Sequence, residues 1–240
     1  MGSSPDFCRA IRRAHQQPRT DVTGATRGSL QQLRTGVRHA IRGNIKTFNI
    51  CTYNTRTIND LNHEALETML YEIQDINWDI IGLSETKMKE SKIEILENSG
   101  HQLFFSGNEI SRSHGVGFLV NKKMVPFVCD YDPILDRLAV LKLNGKFSKM
   151  VIVQTCFPTS EHPDEEVNQL YDQIQDIINK TSKRDHLIIM GDFNPKVGNL
   201  NTNYPKAIGT HTIGQHNSRG ESLAKFCTKN DLVVTNTLFK

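Results

Sequence analysis

His186-Leu187-Ile188-Ile189-Met190-Gly191-Asp192-Phe193-Asn194 is the stretch on which the fold turns. Its apolar part has the length of one strand and no alternation, which marks a buried strand. Gly191, Asp192 and Asn194 then break the run with polar groups that a buried strand would not carry without a reason. Upstream, Val167, Leu170, Tyr171, Ile174, Ile177 and Ile178 recur at helical spacing, with Pro163 near the first turn, so a long helix feeds this strand.

Two earlier segments have the same design. Asp79-Ile-Ile-Gly-Leu-Ser84 is a short buried strand that runs into Glu85 and Thr86. Ile45 to Tyr53 alternates apolar and polar residues and ends in Thr52-Tyr53-Asn54. Between them Leu61, Ala65, Leu66, Met69, Leu70, Ile73 and Ile76 predict a helix with Asp60 as its cap. A second short helix is expected over Lys92 to Asn98. The middle of the chain favours strands at His101–Phe105, Gly115–Val120, Val125–Asp130, Arg137–Leu143 and Lys149–Thr155. Asn144-Gly145 between the last two is a strong hairpin signal. A helix near Glu221–Lys229 and a strand at Leu232–Thr235 follow. Strands alternating with helices around a meander predict an α/β fold with mixed sheets, and no internal repeat is visible.

Hydrophobic residues make up 37% and charged residues 23% of the 240, an ordinary globular balance. No apolar run approaches the roughly 20 residues a membrane helix needs, so no membrane partner is expected. Cys8, Cys51, Cys129, Cys156 and Cys227 form no C-x-x-C pair, which argues against zinc fingers and a disulfide framework and for a nuclear or cytoplasmic setting. Asn179-Lys180-Thr181 matches a glycosylation triplet that is discounted without a signal peptide. Residues 1–44 carry eight arginines against Asp6 and Asp21, a head of +6, so the remaining chain is −3 within the net +3. This basic, weakly apolar head reads as disordered and as separate from a domain over 45–240. It suits a solvated tail, an arm that neutralises nucleic-acid phosphates, or a transit segment.

Polar residues at strand ends converge on one rim of an α/β sheet, where ligands bind. Asn54, Glu85, Asp192 and Asn194 would place two carboxylates and two carboxamides there. Hard oxygens suit Mg²⁺, and amides can donate to anionic oxygens. Each residue also has a plain alternative, since strand-end Asp and Asn commonly form turns or caps and Glu85 could be a solvated loop residue before Lys87 and Lys89. Spacing alone therefore reaches a metal or phosphate site and stops short of a reaction.

Gly191-Asp192-Phe193-Asn194 with Val197-Gly198, Leu83-Ser84-Glu85-Thr86-Lys87 and Tyr53-Asn54 resemble, in order and interval, the catalytic segments of the endonuclease/exonuclease/phosphatase superfamily, which includes apurinic endonucleases and DNase I. Gly115–Val120, Pro158–Pro163 and Asn217–Gly220 extend the likeness toward the endonuclease domain of non-LTR retrotransposons and a host protein descended from one. The resemblance implies a DNase I-like four-layer sandwich, with two mixed sheets between helices and a monomeric chain acting on DNA. It implies Mg²⁺ held at Glu85, Asp192 orienting or deprotonating water, and Asn54 and Asn194 holding the metal network and the phosphate. In the retrotransposon setting the product is a nick whose 3′ end primes reverse transcription. Two departures stand out. Cys156 or its neighbour takes the place of a family tyrosine. The family's late Asp and Ser-Asp-His segment has no counterpart before Lys240, and His211 and His216 read as loop residues. Hence a C-terminally incomplete sandwich is expected, in a truncated or degenerate nuclease. The alternative is a catalytically inactive protein that keeps the fold as a nucleic-acid or protein interaction module.

Overall fold

The buried strands stack into two mixed sheets. The computed structural model describes residues 9–13, 48–58, 63–110, 112–159 and 161–239, the first of these as backbone only. The strands are β1 (Arg9–Arg13), β2 (Ile50–Asn54), β3 (Ile80–Ser84), β4 (Lys92–Leu96), β5 (His101–Ser106), β6 (Val116–Val120), β7 (Val128–Leu135), β8 (Leu138–Asn144), β9 (Lys149–Cys156), β10 (His186–Asp192) and β11 (Leu232–Val234). The helices are α1 (His63–Ile73), α2 (Asp164–Lys180) and α3 (Ser218–Lys229). One sheet has the order β11-β1-β10-β9-β8-β7 and the other β2-β3-β6-β5-β4. Each contains one parallel pair, β9 with β10 and β2 with β3, among antiparallel neighbours.

Period-two alternation sorts the side chains into layers. Ile50, Ile80, Phe104 and Phe118 meet Leu141, Ile152, Ile188 and Met190 between the sheets. Cys51, Ile81, Leu83 and Leu119 point the other way and pack under α1 through Met69 and Ile73. Val151, Val153, Leu187 and Ile189 pack under α2 and α3. The order helix, sheet, sheet, helices is the expected four-layer sandwich. Each fully buried aliphatic or aromatic side chain contributes about 1.5–3 kcal/mol, so the three layers carry the stability. Asp164, Glu165 and Glu166 in the first turn of α2 and Lys180 in its last complement the helix dipole.

Three local expectations are corrected. Lys92–Leu96 is an edge strand and not a helix, because Ile93 and Ile95 alternate with charged residues and the backbone pairs with β5. Pro126 has no N–H for a ladder, so Val125–Phe127 is a 3-10 turn and the strand begins at Val128. Within the head expected to be disordered, Arg9–Arg13 forms β1, antiparallel to both β10 and β11. Backbone groups of two neighbouring strands stabilise it where the local sequence has no strand pattern. The rest of the head lies outside the described residues, as do Asp60 and residues 45–47. No helix among the described residues is long and apolar enough to cross a membrane.

Candidate active site

Along the inward face of the sandwich the strands change character toward one end. β2 reads Ile50, Thr52, Asn54; β3 reads Ile80, Gly82, Ser84; β9 reads Met150, Ile152, Gln154, Cys156; β10 reads Ile188, Met190, Asp192. Apolar residues at one end give way to polar ones at the other. Gln154 ties the two sheets together just beneath this polar end: its amide donates to Leu83 O at 3.1 Å and to Ser84 Oγ at 2.9 Å. Gly82 permits that approach, since a Cβ there would overlap Gln154 Oε1 and Met190 Cε. Gly82 lies three residues before Glu85 and Met190 two before Asp192, so both carboxylates lie toward the same end of the sandwich.

Two bonded pairs occupy the rim. Asn54 Nδ2 donates to Glu85 Oε1 at 2.8 Å, joining the ends of β2 and β3. Thr55 Oγ1 donates to the Ser84 and Glu85 carbonyls at 3.0 Å each, and Arg56 N donates to Asn54 Oδ1 at 3.0 Å. Across the rim the Asn194 N–H donates to Asp192 Oδ1 at 3.1 Å, and Asn194 Nδ2 donates to Phe157 O at 2.7 Å. Phe157 N donates in turn to Asp192 O at 2.7 Å. Asp192 is buried at 5% exposure, whereas Asn54 and Glu85 are half-buried and Asn194 is exposed. Cys156, opposite Asp192 in the β9–β10 register, is buried.

The backbone turns sharply at these positions. Glu85 has φ +57° and Asn194 φ +55°, in the left-handed region that costs a non-glycine residue about 1–3 kcal/mol. Gly191, at φ +133°, sits where a Cβ would strike the Thr155 carbonyl. Left-handed turns directly after two buried strands aim Glu85 and Asn194 out of the ladder.

The donors fit a hard divalent cation. Glu85 offers a carboxylate with one oxygen already oriented by Asn54, in a partly open position. Among the described residues no three His, Cys, Asp or Glu side chains group as a metal cage. One carboxylate with water completing the shell is the mode that suits Mg²⁺. Arg56, Lys87, Lys89 and Lys196 follow closely on the site residues in the sequence, although the domain as a whole is acidic.

Comparison with known proteins identifies the family. A model of the endonuclease/exonuclease/phosphatase family matches residues 47–229. Craniofacial development protein 2 of Bos taurus is 32% identical over 191 residues, which cover 80% of this chain and 31% of that protein. The chain belongs to the endonuclease/exonuclease/phosphatase family. Craniofacial development protein 2 of Tragulus javanicus is also 32% identical over 80% of this chain, and the chain spans about a third of the length of both relatives. An AP endonuclease from Archaeoglobus fulgidus superposes with a TM-score of 0.55 at 16% identity, covering 76% of this chain and 70% of its own. The AP endonuclease LMAP of Leishmania major gives 0.54 at 12% identity, covering 77% and 66%. At these identities the likeness shows a shared family fold.

The sequence does not single out several groups that shape this candidate site. Gln154 looks like an ordinary strand residue until the opposite sheet is seen. Arg219, 13% exposed, donates to the carbonyls of Pro158 (2.9 Å), Thr159 and His162 (2.6 Å) and reaches Asp164 at 3.3 Å, clamping the loop after Phe157. Its signal was present in Asn217-Ser-Arg-Gly220, where Asn217 Oδ1 also caps α3 through Gly220 N at 2.8 Å.

Proposed function

We propose that the rim formed by Asn54, Glu85, Asp192 and Asn194 hydrolyses DNA phosphodiesters with Mg²⁺, in the manner of a retrotransposon-type nicking endonuclease. Family membership supports nuclease-type chemistry in general. The observation that carries the finer reading is the Asn54–Glu85 bond on the same rim as the buried Asp192. A cation held at Glu85 would supply charge neutralisation at a phosphoryl oxygen. Asp192, whose Oδ1 accepts from the Asn194 N–H, would accept a proton from the attacking water. Asn54 keeps Glu85 oriented.

A second reading, an inactive DNA-binding module, is favoured by the state of His114. This imidazole lies at the rim with both ring nitrogens engaged, by Asp136 and Arg137, and is not poised for acid–base work. Incubation of supercoiled plasmid with the full chain decides between the two. The nuclease reading expects nicked circles that require Mg²⁺ and vanish in Asp192→Asn. Plasmid that is bound yet stays supercoiled rejects it in favour of the binding module.

A further inference from the structure

Arg137 precedes β8 and is half-buried at the site rim. One guanidinium nitrogen donates to Cys156 O at 3.3 Å, and Cys156 is the register partner of Asp192. The other donates to His114 Nε2 at 2.6 Å. A guanidinium has no acceptor, so Nε2 must be the unprotonated nitrogen. The ring proton then sits on Nδ1 and is donated to Asp136 Oδ2 at 3.1 Å. Asp136 Oδ2 is itself fixed by Asn108 Nδ2 at 3.1 Å. The chain Asp136–His114–Arg137 also bridges the sandwich. Gly115, next to His114, accepts from Thr86 N at 3.0 Å and donates to Asp136 O at 3.0 Å, and Thr86 follows Glu85.

Charge balance makes this arrangement unusual. Arg219, of similar burial, has Asp164 as its counter-ion. Arg137 has no carboxylate in ion-pair range among the described residues: its partners are a carbonyl and an imidazole nitrogen. A partly buried cation is costly without an anion, and guanidiniums are matched to phosphate by their fork of donors. Two of five N–H donors are committed, and the committed ones hold the plane of the group still.

We propose that Arg137 is a phosphate-binding residue of the nucleic-acid site, with His114 and Asp136 as the positioning residues that set its guanidinium. This assignment rests on the nucleic-acid reading of the same rim.

Fluorescence anisotropy of the full chain with a labelled 20-base-pair DNA duplex, across a salt series, tests it. Loss of one phosphate contact lowers the slope of log affinity against log salt by about 0.9 and weakens binding roughly tenfold, and Arg137→Gln is expected to do both. Arg137→Lys keeps the charge, so its slope should stay while its affinity falls. His114→Leu should weaken binding at an unchanged slope. His114→Gln, whose Oε1 can accept from the guanidinium, should recover it. Unfolding of Arg137→Gln would leave the lysine variant and the His114 pair to decide. An unchanged slope and affinity in a folded Arg137→Gln, or no difference between His114→Leu and His114→Gln, overturns this proposal alone. Absence of duplex binding by the wild type overturns it together with the nucleic-acid reading.

Discussion

Asn54 and Glu85 meet from two strands that are thirty-one residues apart in the chain, whereas Asp192 and Asn194 meet within a single turn. The first pair is half-buried, and its bond runs from side chain to side chain. In the second pair the carboxylate is nearly sealed from solvent and its partner is a backbone N–H. The same chemical groups thus serve differently. An open carboxylate steadied by an amide can exchange water for a ligand. A sealed carboxylate that caps its own turn has a fixed orientation and suits proton transfer at one point in space. The comparison also shows what each pair depends on: Asn54–Glu85 requires the β2–β3 register, and Asp192–Asn194 requires Gly191.

The sharpest way to break this division is Asp192→Asn. It keeps the shape and the acceptor for Asn194 N while removing the base, and nicking is expected to fall about 10²-fold or more. Measured on supercoiled plasmid with equal amounts of folded protein, a loss below tenfold would dissolve the distinction between the two carboxylates. Next in size is Gly82→Ala, which pushes on Gln154 and Met190 and so disturbs both pairs through the inter-sheet tie. Overpacking of this kind costs about 1–3 kcal/mol, read as a lower midpoint in chemical denaturation. A smaller effect separates Asn194→Ala from Asn194→Gly. Both lose the bond to Phe157 O, but only alanine keeps the strain of φ +55°, so glycine should be the more stable by about 1 kcal/mol.

The smallest effect lies away from the rim and serves as its control. Burial and then Lys122 hold the His101 imidazole below its ordinary value of 6.5, and Nδ1 accepts from Lys122 N at 3.0 Å. The neutral ring is favoured in the fold, so this contribution to stability is complete above pH 6.5 and is lost as pH falls through the lowered folded value. Denaturation midpoints between pH 7.5 and 5 should decline less steeply in His101→Gln than in the wild type. An identical slope would remove His101 from the account.

Period and strand-end chemistry made most of the fold and the four rim residues legible. His186–Met190 and Asp79–Ser84 announce buried strands because their apolar runs leave no solvent face. Lys92–Leu96 misled because a short edge strand rich in Lys and Glu carries few of the marks that separate it from a helix. β1 was hidden for another reason: its stability comes from β10 and β11 and not from its own five residues. The contacts that assemble the rim were the hardest to foresee. Gln154 to Ser84 spans seventy residues and His114 to Arg137 twenty-three, and nothing local in the sequence records such pairings. The turns at Glu85 and Asn194 were foreshadowed only by the sudden end of each apolar run.

Calorimetric titration of Mg²⁺ into the full chain tests the central claim most directly, that Glu85 is the metal-holding group and Asp192 is not. The wild type is expected to bind weakly, as one carboxylate with a water-completed shell should. Glu85→Gln should lose the binding heat, while Asp192→Asn should retain it. Equal Mg²⁺ affinity in the wild type and Glu85→Gln would contradict the account.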